Sequence, residues 1–274
     1  MPSSQPIGVF DSGYGGLTVL KSIIEKLPDY DFIYLGDNAR APYGNRSFET
    51  VYQYTREAVQ WFFSRDCPLV ILACNTSSAK ALRTIQQQDL AESGTQNRVL
   101  GVIRPTTEIS GVLSKTGNVG IFATSGTVNS KSYPLEIEKF FPEVKVFQQA
   151  CPLWVPLIEN NEHQGPGADY FIKKYVDELL SQSSAIDTVL LGCTHYPLLM
   201  EKLRQHVPDR IKLIAQGEIV AESLAKYLNR HPEMETRCSK NAELSFYTTD
   251  DTADFDRHAA YFYKEGIKSE RVFL

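Results

Sequence analysis

Residues 70–82 read VILACNTSSAKAL. An unbroken apolar run, the pattern of a strand buried on both faces, stops at Cys74, and a helix-starting cluster follows at once. A second stretch repeats the design. Residues 189–200 read VLLGCTHYPLLM: an apolar strand, a small residue, Cys193, then Thr194 and a further helical segment. On either side of these two, apolar runs alternate with helical patterns along the whole chain. Ile7–Phe10, Asp31–Asp37, Pro68–Cys74, Arg98–Ile103, Asn118–Thr124, Lys145–Ala150, Asp187–Cys193, Ile211–Ala215 and Glu243–Thr249 read as strands. Ser47–Arg65, Asp169–Ser181, Pro197–His206 and Glu218–Arg230 read as amphipathic helices. The alternation predicts βαβ units and an α/β fold with parallel or mixed sheets. Nine strand candidates are many for one open sheet, so two smaller sheets are expected, with a boundary near Gly101–Pro105 and a return near Ala215.

Composition fits a globular chain. It has 274 residues, 42% hydrophobic and 22% charged, with a formal net charge of −5. No basic face or run marks a nucleic-acid footprint. No apolar run approaches the roughly 18 residues of a membrane span. The start, MPSSQPIGVF, lacks the basic region of a signal peptide. Five widely spaced cysteines (67, 74, 151, 193 and 238) favour reduced thiols and a cytoplasmic protein over a disulfide framework.

In open α/β sheets ligands bind beyond the carboxyl ends of the strands. Cys74 and Cys193 both stand there, and each is expected to precede a helix whose first N–H groups are unpaired. That setting favours thiolate over thiol and offers a cradle for a carboxylate, with Asn75, Thr76, Thr194 and His195 as donors. Asp11 ends the first strand, and His195 lies two residues past Cys193. A carboxylate near one thiol and an imidazole near the other suit proton relay. Each residue also has an ordinary alternative. A strand-end cysteine is often simply packed, Asp11 would cap the following helix, and His195 would be a satisfied buried polar group. Cys67, Cys151 and Cys238 have no such context and read as structural. The glycines of DSGYGG lack both the Walker and the GxGxxG spacing. The pair in CTH has no CxxC or HxxxH companion, so no metal is expected. The repeated thiol context is what sets the two cysteines apart.

On FDSGYGGLTV (10–19), GDNARAPYG (36–44), ACNTSSA (73–79), ACPLWVPLIE (150–159) and GCTHYPLL (192–199), the chain resembles the glutamate racemases of the cofactor-independent aspartate/glutamate racemase superfamily. The resemblance implies two pseudo-symmetric α/β domains with mostly parallel sheets and an active site between them. The first domain would comprise residues 1–101 plus 214–274, and the second residues 102–213. It implies that Cys74 and Cys193 are the catalytic thiols, acting on D- and L-glutamate respectively. Asp11 would assist the first thiol, and His195 and Glu159 the second. Ser12, Pro42, Tyr43, Gly44, Asn75, Thr76, Thr124, Thr127 and Thr194 match substrate-holding positions. No pyridoxal phosphate or other cofactor, a homodimer, and supply of D-glutamate to cell-wall peptidoglycan are implied as well. The chain departs from the family pattern twice: RPTT (104–107) stands where Pro-Gly-Ala is common, and AQG (215–217) where Asp-Ser-Gly is common. An aspartate racemase, a thiol hydrolase using Cys193 and His195, and a non-catalytic amino-acid-binding protein are the alternatives.

Overall fold

The computed structural model describes residues 5–274. All nine expected strands form: β1 (Ile7–Asp11), β2 (Phe32–Gly36), β3 (Leu69–Leu72), β4 (Arg98–Gly101), β5 (Asn118–Ala123), β6 (Lys145–Ala150), β7 (Thr188–Gly192), β8 (Lys212–Ile214) and β9 (Leu244–Thr248). A tenth, β10 (Ser269–Arg271), was not predicted. It is short and carries two exposed charged residues, so it has no apolar run to read.

The strands divide into two sheets. The six-stranded sheet has the order β10-β9-β2-β1-β3-β4 and the four-stranded sheet the order β6-β5-β7-β8. Every pairing is parallel. The run β2-β1-β3-β4 and the run β6-β5-β7-β8 follow the same winding, with the first strand of each set beside the third. The sequence echo therefore has a topological counterpart: Cys74 follows β3 and Cys193 follows β7, the third strand of each set. In each sheet the first and third strands flank the point where the winding reverses, and their carboxyl ends frame the crevice in which open α/β sheets hold ligands.

Helices cover both sheets. Phe48–Phe63 starts at Ser47, whose hydroxyl accepts the Thr50 N–H at 3.1 Å, and it buries Val51, Thr55, Ala58, Val59 and Phe62 along one face. Burying such a stripe stabilises the fold by roughly 1.5–3 kcal/mol per large apolar side chain. Gly16–Lys26 packs against Gly217–Arg230. Pro166–Ser181 covers the four-stranded sheet with Ile172, Val176 and Leu179.

Two local expectations change. The segment read as a strand through Ile103 leaves the sheet at Gly101, and Ile103–Leu113 is helical. Local apolarity does not separate a strand end from a buried helix start. The helix expected over 197–206 is a tight 3-10 turn, Tyr196–Leu199, followed by Met200–His206. Pro197 lacks an N–H, and the Tyr196 and Leu198 N–H groups bond three residues back, to Cys193 and His195.

Candidate active site

The carboxyl ends of the first and third strands of the two sheets converge on one cavity of about 120 Å³. Its lining includes Ser12, Pro42, Tyr43, Gly44, Cys74, Asn75, Thr76, Thr124, Glu159, Cys193, Thr194 and His195. Both cysteines thus face the same small space, one from each sheet. Of the residues predicted for the site, Asp11 and Thr127 stand outside the lining. Asp11 is fully buried behind it, where it accepts from the Gly13 N–H at 3.0 Å. Thr127 lies behind Thr124, accepting the Thr124 hydroxyl at 3.1 Å. Ser125, Cys151, Val155 and Pro156 also reach the lining. Cys151, read as structural, is only 1% exposed there.

Cys74 caps the helix Asn75–Lys80, its sulfur accepting the Ser77 N–H at 3.5 Å. Its thiol also meets the Ser12 hydroxyl at 3.4 Å. The helix start was expected to lower its pKa. Instead burial, reinforced by the nearby Asp11 charge, pushes the thiol up to about 11 against the pull of Ser12 and Ser77. Desolvation of a nearly closed site outweighs a few weak donors. Burial likewise raises the Asp11 carboxyl, opposed by His195 and by the Gly16 and Gly13 N–H groups.

The Cys193 side is built differently. No α-helix begins at this cysteine; the tight turn takes its place. His195 Nδ1 lies 3.9 Å from the Cys193 sulfur, and its Nε2 lies 3.0 Å from Glu159 Oε1. Burial disfavours charge on this imidazole. Its hydrogen bonds to Cys193 and Glu159, and their charges, outweigh that and hold it protonated well above the usual histidine range. Glu159 comes from the helix Trp154–Glu159, whose Trp154 is anchored between Phe122 and Tyr196.

Contacts between the two halves close the cavity. The Thr194 hydroxyl approaches Asp11 Oδ1 at 3.4 Å, and Thr18 donates to the Thr194 carbonyl at 3.0 Å. Thr76 and Thr124 meet hydroxyl to hydroxyl at 3.0 Å, and the Gly126 N–H bonds the Gly44 carbonyl at 2.7 Å. Gly15 of DSGYGG serves this approach: a Cβ on it would stand 2.3 Å from both His195 Nδ1 and Thr194 Oγ1.

Sequence reasoning missed Asp37. This fully buried carboxylate takes the Tyr43 hydroxyl, Arg40 Nε at 2.7 Å and the Thr249 hydroxyl at 2.8 Å. It fixes the loop carrying Pro42, Tyr43 and Gly44 and engages the Tyr43 hydroxyl. Its signal was present, since Asp37 ends the apolar run of β2 as Asp11 ends that of β1. Among the described residues, no group of three or more His, Cys, Asp or Glu side chains is arranged to hold a metal.

Known proteins of similar sequence and fold place the chain in a family. The family profile described as Asp/Glu/Hydantoin racemase matches residues 7–224. A glutamate racemase from Geobacter metallireducens is 39% identical over 92% of this chain and 90% of its own. The crystal structure of a glutamate racemase from Bacillus anthracis superposes with a TM-score of 0.90 at 31% identity, covering 99% of this chain and 98% of that one. A glutamate racemase from Francisella tularensis, crystallised in complex with D-glutamate, gives 0.85 at 33% identity, again over 99% and 98%. The chain belongs to the Asp/Glu/hydantoin racemase family and, within it, to the glutamate racemases.

Proposed function

We propose that this protein interconverts L- and D-glutamate by proton transfer between two thiols and the α-carbon. The observation that carries the proposal is that Cys74 and Cys193 line one small cavity from opposite halves of the molecule. The Francisella tularensis relative, crystallised with D-glutamate, supports the choice of substrate. With D-glutamate bound, the Cys74 thiolate takes the α-proton. The electron pair of the broken C–H bond is left on the carbon and its carboxylate, and the Cys193 thiol delivers its proton to the opposite face. L-glutamate forms, with a thiol at Cys74 and a thiolate at Cys193; the reverse reaction exchanges the roles. Asp11 and His195 adjust the protonation of the thiols beside them, and Glu159 holds His195 charged. The N–H groups at the start of the helix Asn75–Lys80, with Thr76, Thr124 and Thr194, receive the substrate carboxylates. Excluding water strengthens these fixed donors against the developing carbanion.

On this proposal the two sheets belong to two domains, residues 1–101 with 214–274 and residues 102–213, and the active site is the cleft between them. A cytoplasmic enzyme fits five unpaired, buried cysteines. No helix among the described residues is long and apolar enough to cross a membrane. Supply of D-glutamate to peptidoglycan and a homodimeric assembly complete the proposal; the second is checked by sedimentation.

Purified protein incubated with L-glutamate in deuterated water, without added cofactor, should drive the optical activity to zero and place deuterium on the α-carbon of the D-product. Unchanged optical activity, or a D-product that retains its α-protium, overturns the proposal. Equal turnover of aspartate would overturn its substrate assignment.

A further inference from the structure

The two stretches that depart from the family pattern, RPTT and AQG, lie more than a hundred residues apart and meet in one buried hydrogen-bond cluster. Gln216 is 4% exposed and sits where the chain returns from β8 to the six-stranded half. Its Nε2 lies 3.0 Å from Thr106 Oγ1, 2.9 Å from the Tyr133 hydroxyl and 3.2 Å from the Val102 carbonyl. Val102 and Thr106 belong to the outgoing crossover. The Val102 carbonyl only accepts, which fixes the orientation of the Gln216 amide. Its Oε1 then accepts from Asn75 Nδ2 at 2.7 Å, and Asn75 Oδ1 accepts from the Tyr133 hydroxyl at 2.7 Å. Asn75, Gln216 and Tyr133 form a closed ring in which each side chain donates once and accepts once around the cycle. With all three side chains buried, such a ring holds one geometry.

The members of the ring come from three places. Asn75 is the residue after Cys74. Tyr133 belongs to the opposite half, and its ring edge and hydroxyl lie against Gly192, the residue before Cys193; a Cβ there would be 3.1 Å from both. Gln216 ties the two to both crossover segments. We propose that Gln216 is a positioning residue that, through Asn75 and Tyr133, sets the separation of the two thiols across the cavity. This rests on the assignment of Cys74 and Cys193 as the paired acid and base. The spacer is built jointly from Gln216 and Thr106, one from each stretch.

The test pairs kinetics with thiol labelling. In Gln216→Leu, kcat should fall by about tenfold or more in both directions while KM changes by less than about threefold, because bound substrate is retained but acid and base are misplaced. Tyr133→Phe, which removes one oxygen, should show a smaller loss of the same kind. The double variant should be no worse than Gln216→Leu alone to within about twofold, as expected for two members of one unit. Iodoacetamide labelling read by peptide mass spectrometry should accelerate by about tenfold at Cys74 and Cys193, relative to Cys67 and Cys238, as the halves loosen. A folded Gln216→Leu with kcat within twofold of wild type, or with unchanged labelling of the two site thiols, overturns the inference. Should Gln216→Leu not fold, Tyr133→Phe is judged by the same two criteria. A wild-type protein that does not racemise glutamate would remove the functional assignment; labelling alone would then decide whether Gln216 sets the spacing.

Discussion

Cys74 and Cys193 end equivalent strands of equivalently wound sheets, yet their surroundings are electrostatic opposites. Cys74 caps a helix beside the buried Asp11, and burial together with that carboxylate keeps it a thiol up to about pH 11. Cys193 has no helix behind it and lies next to His195, held charged by Cys193 itself and by Glu159. Topology put two sulfurs at one cavity; side chains from neighbouring elements made them unlike. For a proton to cross a carbon from one face to the other, one group must start as thiolate and the other as thiol, and the two exchange these roles with the enantiomer bound. The buried Asp11 carboxyl beside one thiol and the charged His195 beside the other give the two thiols unlike partners for that exchange.

Removing either sulfur should have the largest effect. Cys74→Ala and Cys193→Ala should each lower racemisation by about 10⁴-fold or more. Because the two enantiomers have equal free energy, kcat/KM must stay equal in both directions for any variant, so racemisation rates cannot tell the thiols apart. Solvent exchange can. Cys74→Ala should still exchange the α-proton of L-glutamate for deuterium without inversion, and Cys193→Ala that of D-glutamate. The opposite pairing would reverse the assignment of thiols to faces.

Replacing the charged neighbours should have a smaller effect, about 10²-fold in kcat for Asp11→Asn and for His195→Asn. In Asp11→Asn the Cys74 thiol should titrate below its wild-type value of about 11, as read by thiolate ultraviolet absorbance, because an anion that disfavours the thiolate is gone. An unmoved titration would mean that burial alone sets it.

Gly15→Ala tests how closely the halves must approach. The new Cβ would collide with His195 and Thr194, and thermal melting should show a loss of about 1–3 kcal/mol, as for overpacking. Glu159→Gln should have the smallest effect, about three- to tenfold in kcat, the equivalent of one hydrogen bond of about 1 kcal/mol. Its signature is the His195 resonance by NMR, which should titrate lower than in wild type. A raised histidine pKa stabilises the fold below its unfolded value of about 6.5 and loses that contribution as pH rises through the folded value. The stability difference between wild type and Glu159→Gln should accordingly shrink above the wild-type His195 pKa.

The strands were legible because burial on both faces leaves continuous apolar runs, and all nine were recovered within a few residues. Cys74 and Cys193 were legible because each interrupts such a run at its carboxyl end. Asp37 ends β2 in the same way and was passed over, since nothing local says that Tyr43, Arg40 and Thr249 will converge on it. Glu159 was known only by resemblance; nothing in its local sequence says that the helix Trp154–Glu159 ends beside His195. Gln216 was marked only as a departure from the family pattern and Tyr133 not at all, because a buried amide or hydroxyl is recognised by its partners, and theirs lie 58 to 141 residues away.

By itself, the order of residues determined the alternation of strands and helices, the two thiols at strand ends, and the glycines that let chain segments approach. Those are decided by backbone sterics and by which side chains avoid water, both local properties. What raises the Cys74 thiol, what holds His195 charged, and how far apart the halves stand were decided only in the folded molecule. Desolvation and charge–charge interaction depend on distance and burial, and both are set by elements that are remote along the chain.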